Sequence, residues 1–551
     1  MSRHLLLLFL LCASAASAAA AESGACPAPT PARKDEWLAQ QQWQAIEQAG
    51  LRIGEIQIDI TDVYESSEAW YAAAANWLHL ETREGVIREL LLIKPGDAVD
   101  ARVVYESARL MRSLGFFREI SILPLACHDG VVDLQVAAKD AWTLIISITA
   151  NRAGGQNSTG FKLEDRNFLG MGKEVYVETE QDQTRTSVNY AYDDPALFGS
   201  RWRLYMLHKD QSDGRANEFQ LWLPFLSAKQ TWGFIARSED TVETLSFYQY
   251  GELAWESPSS IKLNTASVWR LLSRDADSGW RAGIGVRSEE RSYGTAVAID
   301  PTLRPAPDLA PYAADGITLG LSRFHDRYAS FTNLKLVDKT EDINLGLDAS
   351  LVLTVQPEEL GSGGEEGSRI DIDAAWAARP RESWLLQLEL EGHARNAQSD
   401  WRDGYLSASF AAYKQSGRHT RLARLGLDWR DDPDPEHEAS LGGEEGMLGY
   451  PADWLVGDRI FQLHLEDRWS TDQVLFQTLR VGYTVIAEVG TGRRIGTREW
   501  SKPLVDIGAG LRLGNLRGAY GQVIYITAFV PLVLEPGVDS WQLVIGDIIS
   551  F

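Results

Sequence analysis

Cysteine, positive charge and long apolar runs are all scarce in this sequence, and each shortage excludes a class of protein. Beyond the N-terminal segment there is no apolar run of 18 residues, so a helical membrane span is excluded. Lys and Arg number 53 against 77 Asp and Glu, a formal net charge of -24; nucleic acid or anionic lipid headgroups would be repelled, and no nucleic-acid partner is expected. Of the 3 cysteines, Cys12 lies in the N-terminal apolar run. That leaves Cys26 and Cys127, which an oxidising compartment would allow to pair; a bond and two free thiols both remain open. Enzyme signatures are missing as well: no G-x-S-x-G elbow, no paired Cys/His metal spacing, no phosphate-cradling Gly-Lys-Ser/Thr loop. Neither an enzyme, a cofactor nor a metal site is expected.

What is present begins with an export signal. Arg3 and His4 precede the apolar run Leu5 to Leu11, and the small-residue stretch Ala13 to Ala21 follows. This is the pattern of a secretory signal peptide, residues 1–21, with cleavage expected between Ala18 and Ala21. The rest is rich in aromatics, with 19 Trp, 18 Tyr and 17 Phe, yet has a mean hydropathy of -0.21. A β-barrel in lipid has that average, because lipid-facing and lumen-facing residues alternate.

Residues 22–50 read as a linker with one short helix. From 51 to 141 the pattern is that of a small α+β domain. A strand carries Ile53, Ile56, Ile58 and Ile60; Thr82 is expected to cap one helix and Asp100 a second; two strands follow, Phe117 to Leu125 and Val131 to Ala137. Beyond Trp142 the helical period vanishes, and period-2 segments recur to the end. In one, Ile343, Leu345, Leu347, Ala349, Leu351 and Leu353 share a face. In others Leu479, Val481, Tyr483, Val485 and Ala487, or Val505, Ile507, Ala509, Leu511 and Leu513, alternate with polar residues and glycine.

A soluble sandwich could alternate in the same way. Trp202, Trp232, Trp280, Trp376, Trp384, Trp429, Trp469 and Trp541, however, sit at strand ends where a membrane-interface girdle needs them. The fold class expected is therefore mainly β: a transmembrane antiparallel barrel over 142–551, of about 16 strands if bent runs are merged and up to 20 if they are not, preceded by one small α+β domain. A closed barrel leaves no backbone edge in hydrocarbon, so the last strand should pair with the first.

These residues resemble the bacterial surface antigen superfamily, which includes the barrel-assembly proteins BamA and TamA and the two-partner secretion transporters, in the form of a member with a single POTRA domain. The resemblance covers Leu51 to Phe551. It is carried by Asn76-Trp77-Leu78-His79 with Thr82-Arg83, by Leu91-Leu92 before Gly96-Asp97, and by Lys139-Asp140-Ala141-Trp142-Thr143 where the barrel begins. Arg166-Asn167-Phe168-Leu169-Gly170-Met171-Gly172 resembles a periplasmic turn of the family, its glycines suiting a tight bend and Asn167 able to adopt a left-handed conformation. Asp194-Pro195 before Leu197-Phe198-Gly199 resembles the next.

The family's loop motif, an Arg-Gly-Tyr or Arg-Gly-Phe that folds into the lumen onto a wall carboxylate, is matched by Leu448, Gly449 and Tyr450, with leucine in the arginine's place. Glu488 stands where the carboxylate is expected. The loop is expected to fold inward by apolar contact, with Arg480 or Arg512 supplying the cation for Glu488. Lumen-facing Arg480, Arg512, Arg424, Asp428, Glu389 and Glu466 would make either a narrow aqueous pore or a salt-bridged plug. Leu543, Ile545, Ile549 and Phe551 resemble the C-terminal signal read by the cell's barrel-assembly machinery.

What the resemblance implies is an outer-membrane protein with its POTRA domain in the periplasm, inserting or translocating polypeptides or lipids. Its expected partners are outer-membrane lipid, unfolded outer-membrane or secreted polypeptide clients, and the assembly machinery for its own insertion. A passive or gated pore is the alternative, and a barrel hydrolase is set aside for want of a nucleophile and base. The acidic run Asp431, Asp432, Asp434, Glu436 and Glu438 could suit a divalent cation, but charge runs are more often solvated loops. Gly361-Ser362-Gly363-Gly364 reads as a flexible loop, and His79, His208, His325 and His464 as lumen or surface residues rather than ligands.

Overall fold

The computed structural model describes residues 36–547 except 64–75, 78, 154–155, 183, 228, 358–365, 398–399, 444–445, 496 and 519–522. The expected signal segment, Cys26, Ile549 and Phe551 therefore lie outside the described residues, as does the Gly361–Gly364 loop.

The N-terminal unit is a three-stranded sheet with helices on one face. Strands β1 (Arg52–Thr61), β2 (Phe117–His128) and β3 (Val131–Asp140) are ordered β1-β3-β2, with β1 parallel to the central β3 and β2 antiparallel to it. Along β3 every second side chain, Val132, Leu134, Val136 and Ala138, points into the core, each larger one worth roughly 1.5–3 kcal/mol of burial. Helix α1 (Glu36–Gln48) puts Trp43 and Ile46 into that core, so part of the segment read as linker packs on the domain. Helix α2 spans Glu84–Leu90 and helix α3 spans Ala101–Ser113.

Asp100 caps α3 as its sequence predicts, accepting from the backbone N–H groups of Arg102 and Val103. Thr82 does not cap α2. Its hydroxyl donates instead to Asp140, at 2.7 Å, and Arg83 holds the cap position. Asp140 is the last inward residue of β3 and is fully buried; it outcompetes the helix end for the hydroxyl because a buried carboxylate needs donors.

From Leu144 onward the chain forms a closed antiparallel barrel. Of its 22 strand segments among the described residues, Val297–Ala298 and Ala439–Leu441 are short ribbons beside longer neighbours that also pair directly, which leaves 20 in the wall. The higher of the two expected counts is the observed one. Merging fails because runs such as Trp232–Gln249 and Glu252–Arg274 are separate long strands joined by a tight turn at Tyr250-Gly251.

Alternation sorts the wall as lipid requires. On the strand Leu455–Leu475, Phe461, Leu463 and Leu465 face outward and are exposed, whereas His464, Glu466 and Arg468 are buried inside. Leu479–Arg494 and Leu504–Asn515 repeat the pattern, with Tyr483, Val485, Ile507 and Leu511 outward. With charge hidden within and an apolar band outside, this is a transmembrane barrel. Leu543 and Ile545 lie on the outer face of the last described strand, Gln542–Asp547, which lies beside the first, Leu144–Ala153.

One expected strand is two elements. The alternation from Ile343 to Leu353 runs on without a break in sequence, yet Gly346 adopts φ +112 and divides it. Thr340–Asn344 belongs to a separate two-stranded ribbon with Tyr328–Thr332, and only Gly346–Gln356 joins the wall.

Candidate functional site

Two segments enter the barrel lumen from opposite ends. At the end away from the N-terminal domain, the loop between the strands His419–Asp431 and Leu455–Leu475 folds inward. Its tip is Met447-Leu448-Gly449-Tyr450, and all of its large side chains are buried. The backbone N–H of Leu448 donates to Glu488 at 3.1 Å and that of Gly449 to Asp506 at 2.9 Å. Glu488 and Asp506 are cross-strand neighbours in register, so two adjacent wall carboxylates receive two adjacent tip amides.

Gly449 is required by space: a Cβ there would lie 2.8 Å from Asp506 Cβ. The Tyr450 hydroxyl donates to the Val505 carbonyl at 3.0 Å and accepts from the Val505 N–H at 3.1 Å, so the ring is fixed against that strand. Leu448 packs against Ile486, Phe529 and Val544. The tip thus does fold inward with Leu448 in apolar contact, but neither expected arginine serves Glu488. Arg480 pairs with Asp338 at 2.5 Å, and Arg512 donates to the Lys335 carbonyl. His464 takes the place, with Nδ1 2.9 Å from Glu488, and Gln462 donates to the same oxygen at 3.3 Å. One backbone amide, a side-chain amide and an imidazole therefore compensate the buried carboxylate.

The root of the loop is clamped by ion pairs. Asp434 accepts from Arg395 at 3.0 Å and pairs with Arg291 at 3.2 Å, Glu436 pairs with Arg291 and accepts from Tyr293, and Glu438 pairs with Arg304 at 2.5 Å. Asp431 and Asp432 of the acidic run are exposed, whereas its other three carboxylates are neutralised by Arg291 and Arg395 of the wall and by Arg304 of a neighbouring loop. Beside them His393, Asp403 and His437 converge, each imidazole on one oxygen of Asp403, at 2.6 and 2.8 Å. Two ligands of a tetrahedral ion at about 2.0–2.1 Å would stand about 3.3 Å apart, and Arg369 already lies 4.0 Å from Asp403. The spacing is that of a hydrogen-bonded clamp, which ties His437 of the loop to the wall.

At the opposite end the ribbon Tyr328–Asn344 enters the lumen. The carbonyls of Asn333, Leu334 and Lys335 accept from Thr420, Arg468 and Arg512, each at 2.8 Å. Leu334 packs with Leu385, Tyr413 and Leu422, and Val337 with Val523 and Tyr525. Between ribbon and loop remains a chamber of about 940 Å³ whose lining includes Arg281, Arg424, Asp348, Asp373, Glu389 and Asp428, charges of both signs. The expected choice between aqueous pore and plug resolves into both, a polar chamber bounded by two inserted segments.

The other sequence candidates are placed as follows. Asn167 is not left-handed; Leu169, Gly170 and Gly172 are, and the Asn167 side chain instead holds the turn, its Oδ1 accepting from the Gly172 N–H at 2.6 Å. His79 is buried on Asp140, His208 contacts Asn217 and His325 bonds the Leu347 backbone. Cys127 is disulfide-bonded, with its partner outside the described residues. Sequence reading missed the inserted ribbon, Asp506 and the His393–Asp403–His437 clamp. Asp506 was legible as the residue facing Glu488 on the next alternating strand, whereas the clamp joins positions with no common spacing.

No family model matches this chain, and no curated protein matches it. Among solved structures, the chain is similar to BamA from Haemophilus ducreyi lacking POTRA domains 1–3, at 11% identity over 90% of this chain and 85% of that one, with a TM-score of 0.37. CdiB from Escherichia coli is similar at 14% identity over 90% and 76%, TM-score 0.42, and CdiB from Acinetobacter baumannii at 12% over 91% and 73%, TM-score 0.38.

Proposed function

We propose that this chain is an outer-membrane protein of the bacterial surface antigen superfamily, with its single α+β domain a POTRA domain in the periplasm, and that it inserts or translocates polypeptides or lipids. The observation that carries this reading is the inward loop, whose tip amides sit on Glu488 and Asp506. An infolded loop braced on wall carboxylates is the feature of the resembling family, and it leaves the lumen unsuited to free diffusion. Leu448 also shares a buried cluster with Val544 on the last described strand, next to the seam with Leu144–Ala153. A client would meet the protein at that seam or at a free sheet edge of the domain, through backbone hydrogen bonds that need no side-chain specificity.

The mixed-charge chamber favours a second reading, a gated pore for small polar solutes. Depletion in the native host separates the two. Loss of other barrels from the outer-membrane proteome supports the first, whereas an unchanged proteome with reduced solute uptake would sink it in favour of the second.

A further inference from the structure

The ribbon that enters from the domain side is built as an independent unit. Its strands pair only with each other, from Tyr328↔Asn344 to Thr332↔Thr340, and not with the wall. Glu341 braces its tip from within, accepting the backbone N–H groups of Leu334, Lys335 and Leu336 at 2.9–3.2 Å. The ribbon leaves the wall between the strands Tyr312–His325 and Gly346–Gln356, and its Val337 touches Val523 and Tyr525 on Val523–Pro531, eight or nine strands away in a wall of 20. It therefore crosses nearly a full diameter of the barrel.

Its two feet are held by one helix. Arg102, Arg109 and Arg112 of α3 share a face, at spacings of seven and three. The opposite face, with Val103, Val104 and Met111, is buried in the domain core. Arg112 pairs with Asp342 on one strand of the ribbon at 3.0 Å and the Arg109 guanidinium lies 4.1 Å from the centre of the Tyr328 ring on the other, while Arg102 pairs at 2.6 Å with Asp326, the residue just before the ribbon, which Arg274 of the wall also holds at 3.0 Å. These arginines belong to a domain joined to the wall chiefly at turns, whereas the ribbon tip is held by wall side chains donating to its carbonyls.

We infer that the ribbon Arg327–Leu345 is a removable plug latched by α3, so that tilting the N-terminal domain opens the chamber from that side. Moving the ribbon breaks no wall ladder, since none of its backbone pairs belong to the wall. Gly346, at φ +112 and with His325 2.5 Å from where a Cβ would stand, is the backbone joint at its exit. Of the partners left behind, Arg468 keeps Glu466 at 2.6 Å, while Arg480 and Arg512 are returned to the water of the opened lumen. This latch is independent of which cargo the protein handles, and of the loop at the other end.

The test places a cysteine at Ser350, which lines the chamber, in the full-length protein in detergent, and measures its rate of reaction with a sulfonated, membrane-impermeant maleimide. Arg112→Asp should raise the rate at least tenfold, and adding Asp342→Arg should return it to the starting value. A second pair, Arg112→Cys with Asp342→Cys, is bridged by a short bis(methanethiosulfonate), each thiol displacing methanesulfinate to form a reductant-cleavable disulfide, before the cysteine is read at position 350 with maleimide. Bridging should slow Ser350 labelling at least tenfold relative to the unbridged pair, and cleavage of the bridge should restore it, a readout that does not depend on the charge variants folding. Equal labelling with and without the bridge would overturn the inference, as would acceleration by the aspartate that the swapped arginine fails to reverse.

Discussion

The side-chain amide of Asn167, in the first turn of the barrel on the domain side, donates to the Thr82 hydroxyl of the N-terminal domain at 2.7 Å, and that hydroxyl in turn donates to buried Asp140 at 2.7 Å. The backbone N–H of Thr82 and the His79 ring also meet Asp140, at 2.8 and 3.0 Å. A three-residue relay thus joins the two parts of the chain.

Asn167→Ala should loosen that junction without unfolding either part. Removing one partner of a buried bond leaves the other unsatisfied, at about 1–3 kcal/mol. Hydrogen exchange at residues 79–83 should quicken in the variant while exchange in β3 stays slow. Unchanged exchange at Thr82 would mean that the relay carries no load.

Gly449→Val should lift the loop tip from the wall, because its side chain would overlap Asp506. A cysteine at Leu448 should resist external thiol reagents in the otherwise native protein and react readily in the Gly449→Val background. Ready reaction in both would place the tip outside the lumen.

Glu488→Ala should destabilise the barrel more than a surface change does. It strands the Leu448 amide and the His464 ring together, and breaking a buried charge-assisted set costs roughly 3–5 kcal/mol. The temperature at which the folded form loses its fast migration on a gel should fall clearly, and Glu488→Gln should recover part of the loss. A fall no larger than that of an exposed control would contradict the assignment.

Asp133 supplies a pH signature for the N-terminal domain. The backbone N–H of Glu55 donates to its carboxylate at 2.7 Å, and His128 adds a second contact at 2.8 Å, which together hold the carboxyl below its usual range. A folded value below the unfolded one means that the stabilisation is complete above about pH 4 and is lost as pH falls through the folded value. The protection of β1 amides, measured relative to their intrinsic exchange rates at each pH, should fall on acidification in the native protein, and Asp133→Asn should flatten that dependence.

In intact cells, external protease should spare residues 51–141 if the domain is periplasmic, and deletion of Phe551 should sharply reduce the yield of assembled protein. Cleavage within the domain, or undiminished assembly, would count against these readings.

Period-2 alternation made the wall legible because lipid on one side and charge on the other impose it on every strand. The same rule concealed the plug. A ribbon in the lumen also buries alternate residues, so Ile343 and Leu345 continued the pattern of Leu347 to Leu353, and only the conformation of Gly346 parts them. Glu488 could be placed by likeness, but its partners could not. Substituting Leu448 for arginine removed the expected cation, and the replacement consists of one backbone amide, which leaves no trace in a sequence, and of Gln462 and His464, on the wall strand beside Glu488.

Leu448 shares one buried cluster with Ile486, Phe529 and Val544, while its amide and that of Gly449 meet Glu488 and Asp506, so the tip rests on the last four described strands of the wall. The surface that receives the loop tip therefore does not exist until those four strands have paired with one another. Docking must come after that pairing in time, which makes the settled loop a record that the C-terminal part of the wall is in register, and covers Glu488 and Asp506 only once it is.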